Sequence, residues 1–384
     1  KQWITEKPVQ LWRIPSPTFF EQARAAWMCA EFRSLGCDVR LDGAGNVIAR
    51  PRKAALQPYV VLSAHLDTVL APRTTEDIAV EPGSGLRGPG VSDNGSGLAA
   101  LLAVAAALDS APAIQGLESG LLLLANVCEE GEGNLSGMRH YCDDAPEGAL
   151  TRAFLVLDGP STDHVTSTGL ESRRFEVVFK GAGGHSWSDF GTGNPVHALA
   201  RAVALFLEDQ AAIASDGRSS FNFGVIEGGS SVNAIPSWAR AKVDLRSENP
   251  DVVSRLSSLL SACVGKAAEL ENAASTGSRV TATARSIGFR PGGRIPNGAS
   301  LLKYLAAVDA HLGIRASFDC ASTDANIPLS KGLPAVSIGA GGRGGGAHTA
   351  SEWFHPRGRD TGLKRVMLAL ALLMRDAQLA RGEG

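Results

Sequence analysis

Hydrophobic residues along this chain fall into two styles. Tyr59–Ala64, Leu121–Val127 and Phe154–Leu157 are apolar almost without interruption, as strands covered on both faces are. Phe19–Leu35 suits an opening helix and Val47–Arg50 a short strand. Gly95–Leu108 is rich in Ala and Leu and is entered through Ser92-Asp93-Asn94-Gly95, which predicts a capped helix. After Gly169 the pattern changes to alternation. Arg173–Lys180 reads as a half-exposed strand, with further strands at Phe221–Ile226, Trp238–Leu245 and Val280–Ser286. Pro195–Ala214 and Val252–Leu270 read as helices, Pro195 suiting a first turn. From about Pro291 the continuous style returns, with a helix near Ala299–Leu312, a strand at Ala335–Ile338 and a closing helix near Leu363–Leu379.

These elements predict an α/β chain whose mixed, mostly parallel sheet carries helices on both faces. A smaller α+β open-faced sandwich interrupts it. The expected division is residues 1–168 and 289–384 for the main domain and 169–288 for the insert.

Composition narrows the function. The 384 residues hold 37 Lys+Arg against 39 Asp+Glu, a net charge of -2, with 44% hydrophobic residues. That balance belongs to a folded chain, and without a basic block it argues against a nucleic-acid partner. The longest apolar runs, around Leu98–Leu108 and Val366–Met374, fall short of the ~20 residues a membrane span needs. A soluble, cytoplasmic protein with no membrane partner is expected. The six cysteines form no C-x-x-C pair, so free thiols in a reducing compartment are the expectation. The sequence starts at Lys1, which leaves room for a removed N-terminal signal segment.

The chemistry-bearing residues sit at the ends of the buried strands, where open α/β sheets bind ligands. His65 and Asp67 follow Tyr59–Ala64, two apart and so facing one way. Asp93 precedes the Gly95 helix, Glu129-Glu130 closes Leu121–Val127, Asp158 closes Phe154–Leu157, and His348 lies in a glycine-rich loop after Ala335–Ile338. Carboxylates at the ends of such apolar strands repel one another and are partly desolvated unless cations neutralise them. Two His and three carboxylates, with Asp93 shared, compose a co-catalytic site for two divalent ions about 3.5–4 Å apart. Mixed imidazole and carboxylate donors suit Zn2+ first, with Co2+ or Mn2+ as alternatives. His140, His164, His197, His311 and His355 lack ligand spacing and read as structural residues on helices or exposed loops. Gly339-x-Gly341-x-x-Gly344 matches a dinucleotide fingerprint in form, but no helix follows it, and it reads as a loop bringing backbone close to the site. No G-x-S-x-G elbow is present, which argues against a serine hydrolase.

The ordered set His65-x-Asp67, Gly90-x-x-Asp93-Asn94-Gly95, Glu129-Glu130, Asp158-Gly159 and Gly346-Ala347-His348-Thr349 resembles the metallopeptidases that include peptidase T, carnosinase, aminoacylase and carboxypeptidase G. The resemblance covers nearly the whole chain. It implies one metal on His65, Asp93 and Asp158 and the other on Asp93, Glu130 and His348. Glu129 is then the general base and Asp67 the carboxylate that orients His65. The insert resembles that family's lid or dimerisation domain, which implies a homodimer joined through residues 169–288. In it, His185 of Gly183-Gly184-His185-Ser186 is implied to stabilise the oxyanion, and Asn233 and Arg246 to hold the substrate.

An aspartate at 158, and the Ser322-Thr323-Asp324-Ala325-Asn326 stretch, resemble the peptidase T branch. Cleavage of short peptides near a free amino terminus is therefore the expected reaction. The alternatives are an N-acyl-amino-acid deacylase or carboxypeptidase of the same family, a metal-free binding protein on this fold, and a phosphoesterase.

Overall fold

Runs that are apolar at every position need cover on both sides, and the structure supplies it. In the computed structural model, which describes residues 9–81, 85–111, 116–214 and 218–382, the strands Tyr59–His65 and Gly120–Asn126 are buried along their whole length. Successive side chains on a strand point to opposite faces, so both faces are packed. These two strands pair in parallel, and Thr151–Leu157 and Ala335–Ile338 extend the parallel run. The full order is Cys37–Leu41, Val47–Pro51, Gly120–Asn126, Tyr59–His65, Thr151–Leu157, Ala335–Ile338, His164–Gly169 and Gly293–Arg294, with Ser317–Ala321 beside His164–Gly169. Antiparallel pairs flank the parallel centre on both sides, so the sheet is mixed.

The helices Gln22–Ser34, Gly95–Ser110, Ser300–Leu312 and Arg359–Leu373 contribute Met28, Phe32, Leu98, Leu101, Leu301 and Leu370 to one core with these strands. Each such buried side chain stabilises the fold by about 1.5–3 kcal/mol. Asn94 caps the Gly95 helix by accepting the Gly97 N–H. The parallel centre delivers the carboxyl ends of four strands, and the Asn94 cap, to the same edge of the sheet. That edge is the site.

Several local expectations change. The opening helix starts at Gln22 rather than Phe19, because Phe19 adopts a left-handed backbone with φ 75°. The closing stretch is two helices, Arg359–Leu373 and Ala377–Arg381, the second capped by Asp376. His164 and His355 lie on strands, not on helices or loops. A small sheet of three-residue strands, Ala79–Glu81, Gly85–Arg87, Trp353–His355 and Arg343–Gly345, was not foreseen, since strands this short show no period. It frames the loop that carries His348.

The chain divides into two compact units, one comprising the chain up to Gly169 and from Gly293 onward, the other Leu170–Gly292. The second is a four-stranded antiparallel sheet in the order Ser219–Gly228, Trp238–Ser247, Glu171–Lys180, Thr281–Arg290. One face packs Val177, Phe179, Val243 and Leu245 against Leu199, Phe206, Leu256 and Leu260 of the helices Pro195–Asp209 and Pro250–Ala274. Both helices open with Asn-Pro, the Asn side chain accepting backbone N–H groups and the Pro filling the first turn. All six cysteines are free, and no described helix is long and apolar enough to cross a membrane.

Candidate metal centre

Each ligand candidate arrives on a different segment, and the first unit brings them together. His65 is the last residue of its strand and is 2% exposed. Its Nδ1 lies 3.0 Å from the Asp67 backbone carbonyl, to which it donates, and its Nε2 faces inward. That Nε2 stands 3.1 Å from Asp93 Oδ1. On the other side, His348 Nε2 lies 3.1 Å from Asp93 Oδ2 and 3.0 Å from Glu130 Oε1. The Asp93 carboxylate therefore stands between the two imidazoles, one oxygen toward each. His348, 53% exposed on its side chain, forms the solvent side of the cluster.

Three groups of donor atoms converge within 4.8 Å: His65, Asp93 and Asp158; Asp93, Glu130 and His348; and His65, Glu129 and Glu130. The first two match the expected sets. The third corrects a simpler picture, in which adjacent glutamates at a strand end point apart. The strand ends at Asn126, and Cys128 then takes a left-handed backbone with φ 57°, which turns Glu129 and Glu130 both toward His65.

The electrostatics match a cation site. Burial, then the neighbouring Asp93, pushes the Asp158 carboxyl up to about 7. Hydrogen bonds to Asp93 and Glu130 lift His348 to about 10. Burial opposes a charge on His65, yet its bonds to Asp67 and Asp93 hold its pKa well above the ordinary value. Negative charge is crowded here beyond what the protein's own cations offset, and divalent ions would neutralise it. With mixed imidazole and carboxylate donors at ligand spacing, the residues fit two such ions.

Asp67 has further partners besides His65. Its carboxylate lies 3.4 Å from His65 Nδ1, but its shorter bonds are elsewhere. Oδ1 accepts the Glu129 N–H at 3.0 Å, and Oδ2 accepts the Glu130 N–H at 2.9 Å and the Thr18 hydroxyl at 3.0 Å. It holds the glutamate pair as much as the histidine. Burial pushes its pKa up, but His65 and the two N–H groups hold it below the ordinary carboxylate range.

Sequence reasoning missed this support. Arg24, fully buried, donates to the backbone carbonyls of Leu66 and Ile14. Glu21 accepts the N–H groups of Phe19 and Cys128, both of which have a left-handed backbone. Asn126 donates to Asp324 at 2.7 Å. Gly344 is a glycine because a Cβ there would come within 2.4 Å of Ser92 Oγ, which agrees with a loop admitting close backbone approach.

His185, Asn233 and Arg246 belong to the second unit. A two-residue ribbon pairs His185 with Ala234, and the Ser186 N–H donates to the Asn233 carbonyl at 3.0 Å. His185 Nδ1 accepts the N–H groups of Trp187 and Ser188 at 3.2 and 3.3 Å, so the ring proton sits on Nε2. The imidazole is thereby fixed as an outward hydrogen-bond donor on an exposed turn. Trp187 is 85% exposed on that turn. Arg246 donates from Nε to Asp244 at 2.6 Å, and Arg174 reaches the same carboxylate at 3.3 Å.

A family model described as Peptidase family M28 matches residues 46–216, and one described as Peptidase dimerisation domain matches residues 171–271. Two peptidase family models thus match parts of the chain, the first over the region that carries His65, Asp93, Glu129, Glu130 and Asp158, the second over most of the second unit. Among curated proteins it is similar to a probable carboxypeptidase of Aspergillus terreus, 30% identical over 217 residues, 52% of this chain and 47% of that one. The chain spans about half the length of the curated relatives it matches. Its fold is that of aminopeptidase PepT from Bacillus cereus, at a TM-score of 0.73 and 17% identity over 96% of this chain and 98% of that one. A tripeptidase from Staphylococcus aureus is similar at 0.74 and 19%, covering 99% and 98%.

Proposed function

We propose that this chain is a di-metal hydrolase that cleaves amide bonds of short peptides near a free amino terminus. One observation carries the reading: the Asp93 carboxylate lies between the Nε2 atoms of His65 and His348, 3.1 Å from each, as a shared ligand would. His65, Asp93 and Asp158 would hold one ion, and Asp93, Glu130 and His348 the other. When bound, such ions polarise a carbonyl oxygen and acidify water.

The residues divide the remaining work. Glu129, with its backbone N–H on Asp67, is the general base that takes the proton of the attacking water and passes it to the leaving nitrogen. His185, a fixed Nε2–H donor, stabilises the oxyanion that develops on the carbonyl. Arg246 binds a substrate carboxylate through its planar donor fork, and Asn233 holds the substrate backbone. Asp158 in place of glutamate supports the aminopeptidase reading. The second unit joins two copies of the chain in a homodimer.

Carboxypeptidase or N-acyl-amino-acid deacylase activity is the second reading, the first of these favoured by the likeness to probable carboxypeptidases. The test is metal analysis of the purified protein followed by a panel of free-amino, N-acetylated and C-amidated dipeptides. Two ions per chain with preference for free-amino peptides supports the first reading. Preference for N-acetylated substrates supports the second, and a protein that binds no ion overturns both.

A further inference from the structure

One buried carboxylate near the centre is neither a ligand candidate nor a partner of His65. Glu352, 2% exposed, lies in the loop that follows His348. Its Oε2 accepts the Gly90 N–H at 2.8 Å, and its Oε1 accepts the N–H groups of Ser92 and Asp93 at 2.7 Å each. All three donors belong to the turn that presents the Asp93 carboxylate, some 260 residues away in sequence. The Glu352 backbone joins in, its carbonyl accepting the Gly88 N–H at 2.8 Å.

A carboxylate buried this deeply is costly unless every lone pair is used. Here the bonds go to the main chain of a single ligand-bearing turn. Charge-assisted bonds of this kind are short and directional, so three of them fix the turn's position and rotation together. The two imidazoles stand 3.1 Å from opposite oxygens of Asp93, so a small rotation of the turn would separate one of them from it. The loop bearing His348 and the turn bearing Asp93 are thus tied through Glu352. Arg24, whose burial lowers its pKa to about 10, is offset by the charges of Asp67, Glu21 and Glu352, so a cation stands near the carboxylates that brace the site.

We propose that Glu352 is a positioning residue that sets the Asp93 carboxylate between the two cations by holding the N–H groups of residues 90, 92 and 93. This rests on the di-metal reading of the site. Glu352 touches neither ion nor substrate; it acts through Asp93. Outer partners of this sort typically contribute a 10–100-fold factor in metal affinity.

Full-length parent, Glu352→Ala, Glu352→Gln and Tyr141→Phe chains, stripped of metal, are titrated with Co2+ while the visible absorption is recorded. Tyr141→Phe removes a buried hydroxyl bonded to Thr151 in the same unit, and so reports on general loss of stability. The expected result is a 10–100-fold weaker Co2+ affinity and an altered spectrum for Glu352→Ala, with Tyr141→Phe matching the parent. Gln can offer one carbonyl oxygen, so Glu352→Gln keeps the two Oε1 bonds and falls between them. Should Glu352→Ala fail to fold, Glu352→Gln against Tyr141→Phe decides. Parent-like affinity and spectrum in the Glu352 variants overturns the proposal while leaving the di-metal reading intact. A parent chain that binds no Co2+ overturns that reading and this one with it.

Discussion

Replacing Asp67 with asparagine probes the site at the point where most of its support converges. The carboxylate is fully buried and stays ionised, since its bonds hold its pKa below the ordinary range despite burial. It accepts from the Glu129 N–H, the Glu130 N–H and the Thr18 hydroxyl, at 3.0, 2.9 and 3.0 Å. Asparagine has one carbonyl oxygen for these donors. Its less costly orientation keeps the oxygen at the Oδ2 position, serving Glu130 and Thr18, and turns the NH2 group toward the Glu129 N–H. One bond to an ionised acceptor is then lost, about 1.5–3 kcal/mol, and two weaken to neutral strength, for a total of about 3–5 kcal/mol. This strain falls on the backbone of Glu129, the proposed general base, and of Glu130, a proposed ligand. The expected outcome is a 10–100-fold loss of cation affinity, read by competition with a chromophoric chelator. A fall of at least tenfold in kcat at saturating metal accompanies it, as Glu129 loses its anchor. Cation affinity within twofold of the parent together with kcat within threefold would refute the reasoning.

Other changes separate the assigned roles. Glu129→Ala should retain both ions while lowering hydrolysis by about 10²–10⁴-fold; loss of an ion on metal analysis would make Glu129 a ligand, as its convergence with His65 and Glu130 permits. His185→Ala should lower kcat by about 10²–10³-fold with metal content unchanged, and metal release would contradict its donor role. Arg365→Ala strands the buried Asp309 carboxylate that it grips through two bonds, at 2.6 and 2.7 Å. A loss of about 3–5 kcal/mol in chemical unfolding of the first unit is expected, and a loss under 1 kcal/mol would show the pair to be dispensable.

The parts legible in the sequence are those that leave a periodic or positional trace. Tyr59–His65, Gly120–Asn126 and Ala335–Ile338 show as apolar runs because both faces are buried, and an α/β architecture follows from that alone. His65, Glu129, Glu130 and Asp158 drew attention because a polar residue at the end of such a run is conspicuous, Asp93 because it enters a helix and His348 because it sits in a glycine-rich loop. What stayed hidden acts through the main chain. Glu21 and Glu352 bond to N–H groups, and no residue type or spacing announces a partner that every residue carries. The left-handed Cys128, which turns both glutamates inward, lacks the glycine that usually marks such a backbone. The turn between Phe19 and Gln22 and the three-residue strands around His348 are too short for any period.

This division between visible ligands and hidden supports has a physical cause. Ligands on separate loops must be held to a fraction of an ångström for two cations to share one carboxylate, yet loops are the most mobile parts of a fold. Side-chain packing alone grips a loop weakly, because its apolar content is low. Buried carboxylates accepting two or three main-chain N–H groups supply the missing constraint, since each bond to an ionised acceptor is stronger than a neutral one and ties backbone, not a rotatable side chain. Asp67 does this for Glu129 and Glu130, Glu21 for Cys128 and Phe19, and Glu352 for the Asp93 turn. On the proposed reading the acidic residues at this end of the sheet therefore serve two purposes, and a count of carboxylates overstates the number of ligands. Distinguishing them requires asking what each oxygen accepts: Asp93 and Glu130 face imidazole nitrogens, whereas Glu21 and Glu352 are engaged by main-chain N–H groups, and Asp67 binds two such groups more closely than it binds His65.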